Sequence, residues 1–400
     1  MPFSSLGLSP ALLSAVERQG YLAPTPIQRL AIPPALAGRD VVGSAQTGSG
    51  KTAAFVLPLL QHLEDAPLLP PRRARALIVV PTRELAAQVG EVLRALAEAL
   101  PQAVKVTVAF GGVSINPQMM GLRGGTDLVV GTPGRLLDLA EQGALQLDGV
   151  KTLVLDEADR LLDLGFSEEI GRLLALLPEH HQSLFFSATF PPAVQVLAQA
   201  LLRDPVRIDV PLEPETRPEI AQRAIVVDAG LRTQLLRHLI QEQAWGRVLV
   251  FVATKHAAEH VAEKLRRADL QAEAFHGELT QGKRSQVLGD FKASRLSVLV
   301  ATDLAARGLD IVQLPAVVSY DLPRSATDYT HRIGRTGRIG ESGVAVSFVS
   351  AATEAHFRLI EKRQGVTVPR ERVAGFEPVE IAPDAAGTGG VKGTRPSKKD

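Results

Sequence analysis

The sequence contains no cysteine, and this absence excludes several kinds of chemistry at once. Without thiols the chain has no disulfide, no thiolate nucleophile and no cysteine-based zinc site. Its nine histidines show no paired spacing of metal ligands. Candidate functional sites must therefore use chemistry other than that of thiols and of paired metal-binding histidines.

Long apolar runs and an excess of charge of one sign are missing as well. No segment is long enough to span a bilayer, and the N-terminus lacks a basic region followed by a hydrophobic run, so we expect a cytoplasmic protein without a membrane partner. The 44 basic and 43 acidic side chains argue against a general polycation, so any nucleic-acid surface should be local. The length of 400 residues suits two domains.

What the sequence does contain is a glycine-rich stretch, AQTGSGKT, at residues 45–52. Residues 40–43 indicate a short buried strand, and the chain from Lys51 onward has helical apolar spacing. A loop between a strand and a helix is the context of a P-loop, in which Gly48 and Gly50 let backbone N–H groups converge on phosphate oxygens. The alternative is a glycine-rich turn that caps an ordinary helix. Pro58 should kink this helix or end it early.

Two side chains of the loop have the chemistry to bind a nucleotide and a metal ion. Lys51 would reach the β and γ phosphates, and the Thr52 hydroxyl would ligand Mg²⁺. The strict pattern has glycine where this sequence has Ala45, and alanine tolerates that position only if its φ is negative. The expected nucleotide contacts of the loop are Ala45, Gln46, Thr47, Gly48, Ser49, Gly50, Lys51 and Thr52.

The segment before the P-loop contains candidates for adenine recognition. The Gln28 amide presents a donor and an acceptor together, which suits the adenine edge. Phe3 could stack on the base. The alternative for this segment is a proline-rich turn before a helix.

Three predicted strands end in small or hydroxyl residues at the start of a loop or helix. These ends are Pro81, Thr82 and Arg83 after residues 76–80, Gly112 after residues 105–110, and Thr132, Pro133, Gly134 and Arg135 after residues 127–131. Thr82 can also cap a helix that continues through Leu100. Such ends bind phosphate through backbone N–H groups and side chains. Each alone is an ordinary turn between a strand and a helix, but their recurrence predicts a track for a sugar–phosphate backbone.

Residues 152–155 indicate a buried strand that delivers Asp156, Glu157 and Asp159. In a P-loop protein an acid at the carboxyl end of such a strand can hold Mg²⁺ through water, and the next acid can polarise the attacking water. The hydroxyls of Ser187 and Thr189, after the next strand, can hydrogen-bond Asp159. Acidic pairs are common on surfaces, but a buried strand and a P-loop favour the catalytic interpretation here.

A proline-rich, charged stretch around residues 211–218 indicates a linker, beyond which strands alternate with helical patterns. This second α/β domain has no P-loop. In its sequence HRIGRTGR, Arg332, Arg335 and Arg338 recur at helical spacing and should share one helix face. A solvated helix face is the alternative. Arginines in one domain and a P-loop in the other predict arginine fingers that complete a single ATP site.

Taken in order, GYLAPTPIQ, AQTGSGKT, PTREL, GG, TPGR, DEAD, SAT, ATDLAARGLD and HRIGRTGR resemble the motifs of the DEAD-box ATP-dependent RNA helicases. The resemblance spans about residues 3–373. Within the family, the sequence is similar to a minimal bacterial member of the RhlE-like group. The resemblance implies an α/β fold of two tandem RecA-like domains, each a mostly parallel sheet flanked by helices, with a short linker between them. It also implies ATP and Mg²⁺ as cofactors, RNA as partner, and RNA-stimulated ATP hydrolysis that drives local strand separation.

The resemblance further implies a role for each motif residue. The adenine-binding element would comprise Phe3, Tyr21, Thr25 and Gln28, while Gly308 and Asp310 would contact the nucleotide, Asp310 at its ribose. The metal ligands would be Thr52 and Asp156. The catalytic residues would be Lys51, Glu157, His331, Arg335 and Arg338. Thr302 would join the RNA contacts described above, and Asp159, Ser187 and Thr189 would couple hydrolysis to unwinding. The stretch with His276, Gly277, Gln281 and Arg284 resembles a further element near RNA.

We expect five segments along the chain. They are an adenine-recognition element at 1–29, an ATP-binding domain at 30–210, a linker at 211–220, a second RecA-like domain at 221–375 and a disordered basic tail at 376–400. Ribosome or RNA-decay assemblies are candidate partners. The alternative function is an ATP-gated RNA clamp that serves as an assembly platform, but Glu157, Arg335 and Arg338 favour the enzyme. A DNA-translocating helicase is disfavoured by the adenine element and the DEAD sequence.

Overall fold

The computed structural model describes residues 2–45, 48–66, 71–210, 220–306, 309, 311, 314–337 and 343–379. Two compact units make up this part of the chain: the first holds the described residues up to Val210, and the second holds nearly all of those from Ile220 on. The expected linker and tail lie almost wholly outside the described residues, as do Gln46, Thr47, Gly308, Asp310 and Arg338. The expected segment boundaries stay predictions.

The first unit is built on a parallel sheet of seven strands. The strands are β1 Val41–Ser44, β2 Ala76–Val79, β3 Val106–Ala109, β4 Leu128–Gly131, β5 Thr152–Leu155, β6 Gln182–Ser187 and β7 Val206–Asp209. The helices are α1 Pro10–Arg18, α2 Pro26–Leu36, α3 Lys51–Glu64, α4 Arg83–Ala97, α5 Asn116–Leu122, α6 Pro133–Glu141, α7 Ala158–Asp163, α8 Ser167–Leu174 and α9 Pro192–Leu201, preceded by a 3₁₀ turn at Phe3–Leu6. In space the strands run β3, β4, β2, β5, β6, β1, β7, and each neighbouring pair is parallel.

The second unit has the same design. Its strands are β8 Ile220–Val226, β9 Val248–Val252, β10 Ala272–Phe275, β11 Val298–Thr302, β12 Ala316–Ser319, β13 Gly343–Val349 and β14 Arg370–Glu371. Its helices are α10 Arg232–Glu242, α11 Lys255–Arg266, α12 Gln281–Lys292, α13 Asp303–Ala306, α14 Ala326–Ile333 and α15 Glu354–Gln364. The strands run β10, β11, β9, β12, β13, β8, β14, again with parallel neighbours. The prediction of two α/β domains with parallel sheets is confirmed.

The central strands of the first sheet are buried because helices cover both of its faces, whereas the edge strands β3 and β7 are only partly buried. Successive side chains of a strand point to opposite faces, so Leu77 and Ile78, which are adjacent in β2, belong to different cores. Ile78 packs with α1 to α4, whereas Leu77 packs with α6 to α9. A strand buried on both sides has a continuous apolar sequence, and this explains why these strands could be recognised from short apolar runs. In the described part of the chain, no helix is both long enough and apolar enough to cross a membrane.

Because all seven strands are parallel, their carboxyl ends lie along one edge of the sheet. The P-loop follows β1 at this edge, Asp156 follows β5, and the sequence SAT begins with Ser187, the last residue of β6. Since β6 lies between β5 and β1, the topology brings these three motifs together although they are far apart in the sequence.

Helix α3 continues past Pro58 to Glu64, so the alternative that this proline ends the helix early is wrong, while the alternative of a kink stays a prediction. Proline removes the N–H that would bond to the carbonyl of Ala54, at roughly 3 kcal/mol in a helix interior. Every side chain from Ala53 to Gln61 is buried. Packing on several sides offsets the lost hydrogen bond.

Arg332 and Arg335 do not share a helix face, so the prediction is wrong for these two arginines of HRIGRTGR; Arg338 lies outside the described residues. Helix α14 ends at Ile333, with Gly334 as its C-cap, and Arg335 lies in the turn that follows. Thr336 then forms a parallel bridge with Leu314, whose carbonyl accepts a 2.5 Å hydrogen bond from the Thr336 hydroxyl. Because of this pairing, the chain does not continue in the helical conformation.

An ion-pair cluster fastens the last described strand of the second unit to α15. The Arg370 guanidinium donates to Glu354 at 3.0 Å and to both carboxylate oxygens of Glu361 at 2.8 and 2.9 Å, and it lies 4.8 Å from the centre of the Phe357 ring. The hydrogen bonds from Arg370 lower the pKa of both glutamates. The cluster is therefore expected to stabilise this unit.

We expect Arg370→Met to destabilise the second unit by roughly 2 kcal/mol at pH 7, which is typical of hydrogen bonds between charged groups. Because both carboxyl pKa values lie below the ordinary 4.5 in the fold, the contribution is present above about pH 4.5 and is lost as the pH falls through the lowered values. Wild type and variant should therefore converge in acid. Trp245, the single tryptophan, lies in the core of this unit, so its fluorescence in urea reports the unfolding.

The matched control is Arg358→Met, which removes a mostly exposed arginine paired with the same Glu354. Its effect should stay below about 0.5 kcal/mol, as for exposed helix pairs. A difference between wild type and Arg370→Met that does not change with pH would contradict the ion-pair explanation.

Candidate functional site

The P-loop joins β1 to α3, and the angles of its glycines account for their presence. The φ angle is +83° at Gly48 and +94° at Gly50, the N-cap of α3. A Cβ on Gly50 would lie 2.5 Å from Nε2 of Gln28 and 2.8 Å from Oγ1 of Thr25. Both the angle and the space therefore exclude a side chain at this position. Ala45 is not among the residues with positive φ, which satisfies the condition for an alanine there.

Lys51 begins α3 with a side chain that is buried at the end of the helix. It is 6% exposed, and its Nζ donates a 2.6 Å hydrogen bond to the carbonyl of Ala45. The N–H of Ala45 donates to the carbonyl of Ser187 at 3.2 Å, which ties the loop to β6. A buried ammonium group at a helix N-terminus favours an anion beside it.

Asp156 lies at the carboxyl end of β5 and is 2% exposed. Burial raises its pKa to about 6; Lys51 acts in the opposite direction, while Glu157 and Asp159 add to the rise. A cation near a buried carboxyl group favours its ionised form. The electrostatics at Asp156 therefore favour a bound metal ion.

The donors around the P-loop fit a nucleoside triphosphate that carries Mg²⁺. The hydroxyl oxygen of Ser49 is buried and finds no hydrogen-bond partner among the described residues. Nor do the described residues contain a group of three or more His, Asp or Glu side chains that could hold a metal alone. Mg²⁺ in phosphate sites needs only one or two protein ligands beside phosphates and water. Asp156 and the partly buried Thr52 satisfy that requirement.

Glu157 has the left-handed backbone angles φ +52° and ψ +49°. Such angles in a residue other than glycine cost roughly 1–3 kcal/mol and persist only where the surroundings hold them. Here the N–H donates to Oδ1 of Asp156 at 2.9 Å, and the carbonyl accepts from the N–H of Arg160 at 2.9 Å. The carboxylate forms a 2.8 Å ion pair with the Arg160 guanidinium.

The sequence SAT contacts Asp159, as expected. The Thr189 hydroxyl and N–H donate to Oδ2 of Asp159 at 2.7 and 3.0 Å. Ser187 acts differently: its hydroxyl accepts from the N–H of Asp159 at 3.2 Å and donates to the carbonyl of Thr189 at 2.7 Å. These bonds connect the end of β6 to the start of α7. The coupling role of the three residues stays a prediction.

Gln28 contacts the P-loop directly. It is 5% exposed; its Nε2 donates to the carbonyl of Gly50 at 3.0 Å, and its Oε1 accepts from the N–H of Thr25 at 2.9 Å. The amide nitrogen and oxygen each retain further bonding capacity for an adenine edge. The ring of Phe3 packs in the hydrophobic core, which leaves little of its surface for stacking on a base. Tyr21 is half-buried, and burial raises its pKa.

The first two parts of the predicted phosphate track lie side by side. Thr82 caps α4 by accepting from the N–H of Leu85 at 3.3 Å, and α4 ends at Ala97, three residues before the expected end. Gly112 has a φ of +72°, and a Cβ there would collide with the Arg83 guanidinium. The close approach explains this glycine. Pro81 is buried beside them.

The third part contains an arginine that points into the protein. Arg135 is buried and donates to the carbonyls of Phe110 and Val113 at 2.9 and 2.8 Å, which ties α6 to the loop after β3. These bonds engage the two terminal nitrogens of the guanidinium, whereas Nε is buried without a hydrogen-bond partner among the described residues and lies 3.6 Å from Oδ2 of Asp138. An RNA contact for Arg135 stays a prediction. Thr132 and Pro133 are also buried at the start of α6, whereas a Cβ on Gly134 would meet open space.

In the second unit a buried arginine connects two of the motifs. Arg332 donates to both carboxylate oxygens of Asp303 at 2.6 and 2.7 Å and lies 4.8 Å from the centre of the Phe251 ring. Asp303 follows Thr302, the last residue of β11, so the bond joins ATDLAARGLD to HRIGRTGR. Arg335 is buried, and His331 is half-buried. Catalytic roles for His331, Arg335 and Arg338, and an RNA contact for Thr302, stay predictions.

Sequence reasoning missed Arg160 and Asp303. Arg160 follows Glu157 by three residues, a spacing that places two side chains on one face of a helix. That spacing was the available signal for the ion pair. No comparable local signal exists for Asp303, whose partner lies 29 residues away.

Models of two families match this chain in sequence order. The model described as DEAD/DEAH box helicase matches residues 25–197, and the model described as Helicase conserved C-terminal domain matches residues 231–340. The chain is also similar to a solved structure of Dbp5 from S. cerevisiae bound to RNA and ADP BeF3. The TM-score is 0.80 and the identity 31%, over 93% of this chain and 95% of the other.

Curated relatives agree with this assignment. The DEAD-box ATP-dependent RNA helicase CshA of Bacillus cereus is 42% identical over 90% of this chain and 67% of its own length. The ATP-dependent RNA helicase DeaD of Escherichia coli is 41% identical over 94% of this chain and 59% of its own length. The RhlE-like subgroup stays a prediction. Since both domain models match and the identity exceeds two fifths over nine tenths of the sequence, the chain belongs to the DEAD-box family of ATP-dependent RNA helicases.

Proposed function

We propose that this protein hydrolyses ATP in response to RNA and uses the reaction to separate or remodel short RNA duplexes. The observation that carries the proposal is the meeting of the buried Lys51, Asp156 and Glu157 at the carboxyl edge of one parallel sheet. The relatives named as RNA helicases and the RNA-bound Dbp5 structure support RNA as the substrate.

The nucleotide would be held by the P-loop and by Gln28. N–H groups at the start of α3 and the Lys51 ammonium suit the phosphates, while Gln28 suits the base. Mg²⁺ would be held by Thr52 and Asp156 and would neutralise phosphate charge. Of the further nucleotide contacts in the proposal, Gln46, Thr47, Gly308 and Asp310 lie outside the described residues.

Glu157 would act as the general base that orients and polarises the attacking water. Arg335 and Arg338 would stabilise charge in the transition state, and His331 would assist them. RNA would be held through its backbone by hydroxyl groups, N–H groups and Arg83, so binding should be largely independent of base sequence. A cytoplasmic location and ribosome or RNA-decay assemblies as partners complete the proposal.

An ATP-gated clamp is the second candidate function. Such a clamp binds RNA in the presence of ATP but does not need to separate strands. A duplex with one labelled strand distinguishes the two functions: release of that strand during hydrolysis supports the helicase, whereas ATP-dependent retention without release supports the clamp.

Lys51→Ala should lower RNA-stimulated ATPase activity by about 100-fold or more, because preorganised charges at phosphates contribute that much to transition-state stability. The measurement is phosphate release with and without single-stranded RNA. Lys151→Ala is the matched control, since Lys151 is an exposed lysine of the same unit outside the site. Turnover of Lys51→Ala at the wild-type rate would refute the nucleotide site.

Gln28→Ala should lower the preference for ATP over GTP by about tenfold, because hydrogen bonds to the base edge contribute roughly 1 kcal/mol each. The readout is the ratio of kcat/KM for the two nucleotides. Gln28 also supports Gly50, and losing that support alone would slow both nucleotides equally. An unchanged ratio therefore assigns Gln28 to the loop rather than to the base.

Arg335→Ala should lower kcat for ATP by about 10³-fold, as is typical of an arginine finger, with a smaller effect on nucleotide binding. Binding of a fluorescent ATP analogue separates the two effects. Arg324→Ala removes an exposed arginine of the same unit and should change neither quantity. A decrease of only a few-fold for Arg335→Ala would leave the finger without support.

A further inference from the structure

We infer that Arg160 positions the carboxylate of Glu157 so that it can orient and polarise the attacking water. This role rests on the proposed function of Glu157 as general base. Nη1 of Arg160 donates to Oε2 of Glu157 at 2.8 Å. The two residues are 4% and 6% exposed, so the pair is shielded from water. A charge-assisted hydrogen bond in such surroundings fixes geometry more firmly than an exposed ion pair does.

The backbone holds the two residues in a fixed relation. Glu157 is the N-cap of α7, and Arg160 is the third residue of that helix. The N–H of Arg160 donates to the carbonyl of Glu157 at 2.9 Å and to Oδ1 of Asp159 at 3.1 Å. The turn that places Glu157 in its left-handed conformation therefore also places the guanidinium over its carboxylate.

The charges around Glu157 explain why a cation is needed on this helix. Asp156 and Asp159, both buried, flank Glu157 in the sequence. A buried carboxylate without a partner strongly destabilises a protein, and like charges nearby add to that effect. Lys51 acts on Asp156, whereas Arg160 is paired with Glu157.

The pair also selects which oxygen is available. A glutamate side chain has three rotatable bonds, and a general base must keep one oxygen within hydrogen-bond reach of the water proton. With Oε2 bound to Arg160, Oε1 is the oxygen left to accept that proton. Arg160 thus acts through Glu157 and has no contact with the substrate in this role.

The test compares wild type with Arg160→Met and Arg160→Lys in steady-state ATPase assays at saturating RNA. Arg160→Met should lower kcat by about 10- to 100-fold, because a displacement of a reacting group by 1 Å has an effect of that size. The KM for ATP should change little, because ground-state binding is untouched. Arg160→Lys should recover part of the loss, since lysine keeps the charge but not the planar fork. Unchanged or raised kcat in Arg160→Met would overturn the inference.

A double-mutant cycle with Glu157→Gln separates positioning from a structural role. If Arg160 acts only through Glu157, adding Arg160→Met to Glu157→Gln should lower kcat no further. In the double variant both side chains are neutral, so no buried charge is left without a partner. Its thermal unfolding therefore shows whether the fold tolerates the loss of the ion pair. A second, multiplicative loss of kcat would show that Arg160 supports the fold and does not position the base. If Glu157→Gln itself turns over at the wild-type rate, the base assignment fails and the inference fails with it.

Arg172→Met is the matched control. Arg172 lies in α8 of the same unit and forms an exposed ion pair with Glu141. Its loss should leave kcat, KM and nucleotide-analogue binding at their wild-type values. A decrease in kcat equal to that of Arg160→Met would show that the assay responds to any lost ion pair, and would remove the support for positioning.

Discussion

Parallel pairing of the strands is the constraint on which the candidate site depends. It gives β1, β5 and β6 a common carboxyl edge, and hydrogen bonds continue the pairing into the loops beyond them. The N–H of Ala45 bonds to the carbonyl of Ser187, and Thr189 bonds to Asp159. Three loops from distant parts of the sequence are thereby extensions of one rigid sheet, which is the support that precise phosphate chemistry requires.

At this edge the site brings together charged side chains whose burial is unfavourable in free energy. Lys51, Asp156 and Glu157 are each shielded from solvent. Burial disfavours the ionised form of Asp156 and raises its pKa to about 6, although Lys51 acts in the opposite direction. A site with residual electrostatic strain of this kind gains stability when phosphates and a cation bind. The unfavourable electrostatics that destabilise this unit without ligands therefore favour the binding of those ligands.

The sequence was sufficient for the features that depend on local patterns. Apolar runs of four or five residues marked most strands, and hydroxyl or acidic residues after them marked the edge of the sheet. It was insufficient where packing overrides local preference. Pro58 stays within α3 because its neighbours are buried. Helix α14 ends at Ile333, and Thr336 shortly after it forms a bridge with Leu314. The short strand β14 depends on the cluster around Arg370, which no local pattern reveals.

Burial also decides what the arginines of the motifs can do. The Arg135 guanidinium donates hydrogen bonds to backbone carbonyls, and the Arg332 guanidinium donates to Asp303, so both arginines connect elements within their own unit. Arg83, by contrast, is half-buried beside Gly112. An arginine in these motifs can therefore connect elements of the fold, because its planar guanidinium binds carbonyl and carboxylate oxygens as well as phosphates. The predicted RNA track then depends mainly on N–H and hydroxyl groups held at fixed spacing by the braced loops, and such groups recognise the sugar–phosphate backbone without distinguishing its bases.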